Sequence, residues 1–279
     1  MKFKMKPVLP LLICCLASSG SALADASDTK YHYKDVIYKD APTPKNHDHF
    51  EVIGAGGTAK LNQGNSSFAV TSSESDTLHQ TNASDWNTLA AQLGVGYVHY
   101  LHGAERYPKH IQWFPMVEPE LNGYYLASNS IKGNVWRFND SAYSQSTYDI
   151  PIHSTRLMLD AALTVMAYKK FSLYGLGGLG EAWNRISYSD SGTGSSACPD
   201  QNVSLSSNTR SSFAWELGAG LLYNFNNRIG LSLEYLYADL GTVKTAASGN
   251  TGTITSPTLS PVSFNLKTQS GLLGLHIAI

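Results

Sequence analysis

Residues 211–240 read SSFAWELGAGLLYNFNNRIGLSLEYLYADL, and the way this stretch alternates decides the fold. Every second residue from Phe213 gives Phe213, Trp215, Leu217, Ala219, Leu221, Tyr223 and Phe225, whereas the residues between are Ala214, Glu216, Gly218, Gly220, Leu222 and Asn224. After Asn226-Asn227-Arg228 the period resumes, with Ile229, Leu231, Leu233, Tyr235 and Tyr237 against Gly230, Ser232, Glu234, Leu236 and Ala238. A strict period of two predicts two strands, and the short Asn-rich break predicts the hairpin turn between them. One face is apolar from end to end with aromatics at both limits, and the other is mostly small or charged. A soluble sheet buries its apolar face and wets the other; a membrane barrel puts the apolar face in lipid and the small and polar residues in a narrow lumen.

The same inverted pattern recurs outward from this hairpin. In strand two, Leu89, Ala91, Leu93, Val95 and Tyr97 oppose Ala90, Gln92, Gly94, Gly96 and Val98. Strand three, 111–125, sets Trp113, Val117, Leu121 and Tyr125 against Glu118, Glu120 and Asn122, with Pro115 and Pro119 predicting a bulge. In strand four, Leu157, Leu159, Ala161, Leu163 and Val165 point outward, and Arg156, Met158, Asp160, Ala162, Thr164 and Met166 inward. Strand eight puts Gly271, Leu273, Leu275, Ile277 and Ile279 outward and Ser270, Leu272, Gly274, His276 and Ala278 inward. Strands one (50–61) and five (171–183) are so glycine-rich that their facing stays open. Polar stretches at 62–87, 127–149, 187–210 and 245–261 read as loops and alternate with short breaks at 102–110, 168–170 and 226–228. The expectation is an all-β, eight-stranded antiparallel up-and-down transmembrane barrel with short periplasmic turns and four long extracellular loops. A soluble eight-stranded barrel would point its apolar residues inward. Here the inward faces carry Glu118, Glu120, Arg156, Asp160, Glu216 and Glu234, so lipid must be the solvent of the other face.

Residues 1–24 combine Lys2, Lys4 and Lys6 with an apolar run from Val8 to Ala17 and a small-residue site at Ala22-Leu23-Ala24, the pattern of a cleaved secretory signal. Residues 25–49 read as a polar periplasmic extension, and 50–279 as the barrel. Cys14 and Cys15 fall in the signal, leaving Cys198 as a free thiol or a point of intermolecular pairing. His47-Asp48-His49 reads as solvated linker rather than a metal site. Past the signal, no stretch is long and apolar enough for a spanning helix. With 20 basic and 21 acidic residues the chain offers no basic patch for nucleic acid.

The run AWELGAGLLYNFNNRIGLSLEYLYADLG at 214–241, with LYGLGGLG at 173–180, resembles the small eight-stranded outer-membrane proteins, the group of opacity-type surface proteins and the OmpA transmembrane domain. Residue-level similarity is confined to strands five to seven. The C-terminal Ile279 departs from the aromatic residue such families usually carry there. The resemblance implies a location in the bacterial outer membrane.

The lumen of an eight-stranded barrel is just wide enough to be filled by side chains. The inward carboxylates around Arg156 are therefore expected to form a polar plug, with Lys267 or Lys60 as further cations. Glu216 and Glu234, expected at one height, must share Arg156 or a proton. A cation-preferring pore is the alternative use of the same residues. His153-Ser154 at the outer rim is the one pair that invites a hydrolase reading, but adjacent strand residues face opposite ways. Phe213, Trp215, Tyr235, Tyr237 and Tyr125 next to long loops, and Trp113, Tyr97, Phe171, Tyr223 and Phe225 next to short turns, read as two interfacial girdles. The reading is a non-enzymatic, monomeric surface protein needing no cofactor, its girdles in contact with lipid and lipopolysaccharide and its loops available to a host or extracellular ligand. A narrow channel and a lipid A-modifying enzyme are the alternatives.

Overall fold

In the computed structural model, residues 48–64, 66–69, 75–101, 103–144, 146–192, 202–250 and 259–279 are described. Residues 1–47, read above as signal and polar extension, and Cys198 lie outside them. Eight long strands form the wall: β1 His49–Gln63, β2 Thr88–Tyr100, β3 Met116–Trp136, β4 Ser146–Tyr168, β5 Phe171–Gly192, β6 Ser204–Asn224, β7 Ile229–Lys244 and β8 Ser263–Ala278. Each is antiparallel to the next, and β1 pairs β8 with Glu51 opposite Ala278 and Gln63 opposite Leu266, so the sheet closes on itself. Closure satisfies the strand edges that could not exist in lipid.

The opening hairpin folds as its alternation dictates. Gly230 pairs with Asn224, and Asn226 Oδ1 accepts from the backbone N–H groups of Arg228 (2.8 Å) and Ile229 (2.9 Å), which sets the turn. Leu217, Leu221, Leu231 and Leu233 are exposed outward, while Glu216, Ser232 and Glu234 are buried inward. Between Phe213 and Tyr223 the strand runs roughly 33 Å, which a tilt of about 40° turns into roughly 25 Å of height, the depth of the apolar band of an outer membrane. The glycine-rich strands now have a facing: Glu51, Ile53, Ala59 and Leu61 of β1, and Tyr174, Leu176, Ala182 and Asn184 of β5, point inward.

Above the outer girdle the pattern inverts. Ile131, Val135, Tyr148, Ile150, Ile152, Ile186, Tyr188, Phe264 and Leu266 are buried inside the barrel. Their neighbours Lys132, Thr147, Ser189 and Ser191 face out. Here the outer solvent is water, so the barrel continues as a soluble one with a largely apolar core. This corrects the loop boundaries: most of 127–149 and much of 187–210 is strand, and 62–87 holds the hairpin Ser66–Ala69 with Ser75–Gln80, which pairs onto β3. Their Ser, Thr and Asn residues are largely the wetted face of strands, which a composition reading takes for loop.

Three local expectations also change. Strand three begins at Met116; Gln112–Trp113 is a separate short strand against β4, because Phe114 adopts φ 51° and breaks the run before Pro115. Pro119 sits in unbroken register opposite Ala161, and the β3–β4 irregularity falls at Leu126/Asn129 instead. In β4 a register shift between Thr164 and Met166 flips the facing, so Ala167 is buried and Met166, opposite the exposed Leu173, leaves the lumen.

Inward glycines set how the lumen fills. The position a Cβ would take at Gly178 is occupied by the Asp160 carboxylate, and at Gly220 by the Tyr174 ring. Gly178→Leu is therefore expected to abolish the folded, heat-modifiable band on gels. Gly175→Leu on the lipid face, where a Cβ meets nothing nearer than Gly218 O at 3.8 Å, is expected to retain it.

Candidate functional site

The lumen at membrane depth holds two tiers of polar side chains. Register sets Glu120, Asp160, Gly178 and Glu216 opposite one another across β3 to β6. Asn122 Nδ2 bridges Glu120 Oε2 (2.7 Å) and Asp160 Oδ2 (2.8 Å), and Tyr124 Oη donates to Asp160 Oδ2 at 3.5 Å. Arg156 directs Nε and Nη2 to Glu216 Oε2, both at 3.0 Å, with its guanidinium stacked 4.0 Å from the centre of the Tyr124 ring. Both ends of that ion pair are buried, at 4% exposure for Arg156 and 1% for Glu216. A charge-assisted pair of this kind is stronger than a neutral hydrogen bond and is bought at a large desolvation cost.

The lower tier lies toward the periplasm. Tyr174 crosses Gly220 and donates to Glu234 Oε2 at 3.0 Å. His276 lies between Ser232 Oγ (3.1 Å from Nε2) and Glu51 Oε2 (3.1 Å from Nδ1), and Glu51 Oε1 meets His49 Nε2 at 3.0 Å. The shared cation for Glu216 and Glu234 is not what the geometry provides. Glu216 stands opposite Ala238 and Glu234 opposite Gly220, so they are offset along the hairpin by roughly 13 Å, and Arg156 serves Glu216 alone. Lys60 and Lys267 stand on outward positions, with Lys60 Nζ 5.5 Å from the centre of the Trp86 ring, and add no charge to the lumen. Glu118 points inward against Gly96, and its Oε1 meets no hydrogen-bond donor among the described residues.

Sequence reasoning missed Glu51, His49, Ser232 and Tyr174 as members of this network. Strands one and five gave no facing, and His276, although placed inward, had no visible partner. The usable signal is closure itself: pairing the first strand with the last brings Glu51 to the neighbourhood of His276.

The remaining candidates separate. Ser154 faces in and donates to Asn184 Oδ1 at 2.6 Å, whereas His153 faces out, edge-on to Tyr125 at 5.2 Å, so the pair is split across the wall. Toward the long loops, Phe213, Tyr235 and Tyr125 are exposed and Trp215 lies 5.6 Å from Tyr237. Toward the short turns, Phe171–Tyr223, Tyr223–Phe225 and Phe50–Tyr97 form ring contacts at 4.9–5.0 Å, and Trp113 is exposed. At the periplasmic rim, Asp48 accepts from His99 Nδ1 (2.7 Å) and the Tyr100 backbone N–H (3.1 Å), and the His99 bond foremost holds its carboxyl below the usual range. No set of metal-ligating residues is assembled among the described residues. Near the top of the water-bathed part of the barrel, Asp190 accepts from Tyr188 Oη (3.0 Å) and the Val203 N–H (2.6 Å), and burial pushes its carboxyl up.

The β3–β4 connection carries a different feature. Trp136 stacks on His79 at 4.9 Å, and Phe138 meets Tyr143 edge-on at 5.9 Å, with 57% and 49% exposure for the last two. Phe138 and Asn139 adopt φ of 54° and 57°, a conformation that costs a bulky residue energy. Asp76 Oδ1, accepting from the Phe138 N–H at 3.2 Å, and Asp140 Oδ1, accepting from the Ala142 N–H at 2.9 Å, hold the turn. Two aromatic rings are thereby presented to water on a braced backbone.

Among solved structures the chain is similar to Neisserial surface protein A (12% identity, 82% of this chain and 97% of that one, TM-score 0.34). It is also similar to the attachment invasion locus protein Ail of Yersinia pestis (14%, 83% and 98%, TM-score 0.34) and to OprG of Pseudomonas aeruginosa (15%, 84% and 97%, TM-score 0.41). A search of curated proteins gives no match. The model of the outer membrane protein beta-barrel domain matches residues 54–257, well over half of the chain, and the chain belongs to that family.

Proposed function

We propose that this barrel displays a binding surface outside the cell, with recognition centred on the aromatic tip of the β3–β4 connection. The observation that carries the reading is the exposed Phe138–Tyr143 pair, with Phe138 held at positive φ, on top of the β-built upper barrel. Exposed aromatic rings on a rigid base are the residues that supply binding energy at protein interfaces, because little conformational entropy is lost when they are covered. The extension supports them as a packed barrel rather than as free loops. Contact with lipid and lipopolysaccharide at the girdles holds that platform at a fixed height.

A conducting role is disfavoured by the same architecture. Ions would have to cross the carboxylate–arginine tiers and then a core of Ile131, Ile150, Ile186, Tyr188 and Leu266, where their hydration has no replacement. Planar-bilayer recordings of the purified barrel are expected to show no conductance steps; regular steps would restore the channel reading. On intact cells, Phe138→Ala/Tyr143→Ala is expected to lower attachment to host cells or extracellular matrix about tenfold or more, with heat-modifiable migration unchanged. Attachment equal to that of the parent would remove the tip from the account.

A further inference from the structure

The strongest unassigned chemistry lies at the periplasmic end of the lumen. Ser232, His276 and Glu51 come from β7, β8 and β1, three neighbouring strands, and are each largely buried, at 4%, 8% and 8% exposure. Ser232 Oγ is 3.1 Å from His276 Nε2, and His276 Nδ1 is 3.1 Å from Glu51 Oε2. An ionised carboxylate can only accept, so in the neutral imidazole Nδ1 carries the proton and Nε2 is left to accept the serine hydroxyl. The second oxygen of Glu51 is fixed by His49 Nε2 at 3.0 Å, so the carboxylate is held from both sides. A hydroxyl, a base and an orienting acid in this order are the parts of an activated nucleophile, recognised by geometry and not by sequence position.

We propose that Ser232 is such a nucleophile and that the periplasmic mouth of the barrel accepts short-chain carboxylic esters. Ser232 Oγ attacks the ester carbonyl carbon while its proton passes to His276 Nε2. The tetrahedral adduct collapses, the carbon–alkoxide bond breaks, and the leaving alkoxide takes that proton and departs as an alcohol. Water then attacks the acyl-serine with His276 again taking the proton, and the products are a carboxylic acid and free Ser232. Glu51 is a positioning residue that keeps the imidazole in the required tautomer.

The surroundings set the substrate size. Beside Ser232 Oγ, a Cβ at Gly274 would overlap the hydroxyl, so the wall there is bare backbone. Toward the mouth the next inward residues on these strands are Gly230, Ala278 and His49, and the Leu222 and Asn224 side chains lie over Gly230. Further in, the Tyr174–Glu234 hydrogen bond lies across the lumen. The site is closely packed, so a long acyl chain has no room there. This activity is independent of surface recognition, since it sits at the opposite end of the barrel from Phe138.

The test uses the folded full-length protein in detergent with diisopropyl fluorophosphate and p-nitrophenyl acetate as probes. The expected result is a single phosphoryl adduct on Ser232 by peptide mass, absent from Ser232→Ala and from the heat-unfolded chain. His276→Gln is expected to slow labelling by about 10²–10⁴-fold, and Glu51→Gln to slow it and shift the midpoint of its pH–rate profile. An unmodified Ser232 in the folded protein, under conditions that fully label trypsin, overturns the proposal. So does equal labelling of folded and unfolded chains. If His276→Gln lacks the folded band, the comparison of folded with heat-unfolded parent protein decides alone.

Discussion

One guanidinium among carboxylates is the constraint on which the interior depends. Lipid on the outside forces every polar side chain of the membrane span into the lumen, and that lumen is too narrow to hold them in bulk water. Glu51, Glu118, Glu120, Asp160, Glu216 and Glu234 face it with Arg156 as the permanent cation among the described residues. Arg156 is committed to Glu216, so Glu120, Asp160, Glu234 and Glu51 are supported by what surrounds them: Asn122 between Glu120 and Asp160, Tyr174 on Glu234, and two imidazoles on Glu51. Glycines at 178 and 220 give these side chains somewhere to lie. The network and the glycine pattern are two sides of one packing solution.

The second organising fact is that the barrel meets two solvents. Below the outer girdle lipid bathes the wall and the interior is largely polar; above it water bathes the wall and the interior is largely apolar, with Asp76, Arg137 and Asp190 buried near its top. Ser154, Asn184 and Leu240 mark the change, where Ser154 Oγ donates to Asn184 Oδ1 and Asn184 Nδ2 donates to Leu240 O at 3.0 Å. From that layer upward the chain behaves as a soluble barrel. The upper barrel is therefore a packed base for the strained aromatic turn.

Much of this was legible in the sequence and some of it was not, for identifiable reasons. Strands four, six, seven and eight show their facing because lipid demands an unbroken apolar row such as Leu217, Leu221 and Leu231. Strands one and five conceal theirs because glycines such as Gly54, Gly56, Gly175 and Gly177 occupy outward positions too. The upper barrel reads as loop because Thr147, Ser189 and Ser191 alternate with Tyr148, Tyr188 and Asp190, and composition hears only the polar half. The Met166 facing was lost to a bulge, which no local pattern announces. The Ser232–His276–Glu51 arrangement required the ring to close, a fact about the first and last strands together.

The most direct measurement on the central claim is a double-mutant cycle on the buried ion pair, by urea unfolding of the barrel in lipid vesicles. Arg156→Met and Glu216→Leu are each expected to cost about 3–5 kcal/mol, because each leaves a buried charge without its partner. The double variant is expected to return to within about 1 kcal/mol of the parent, since both charges are then gone. Single variants as stable as the parent, or losses that simply add in the double variant, would contradict a lumen organised around Arg156 and Glu216.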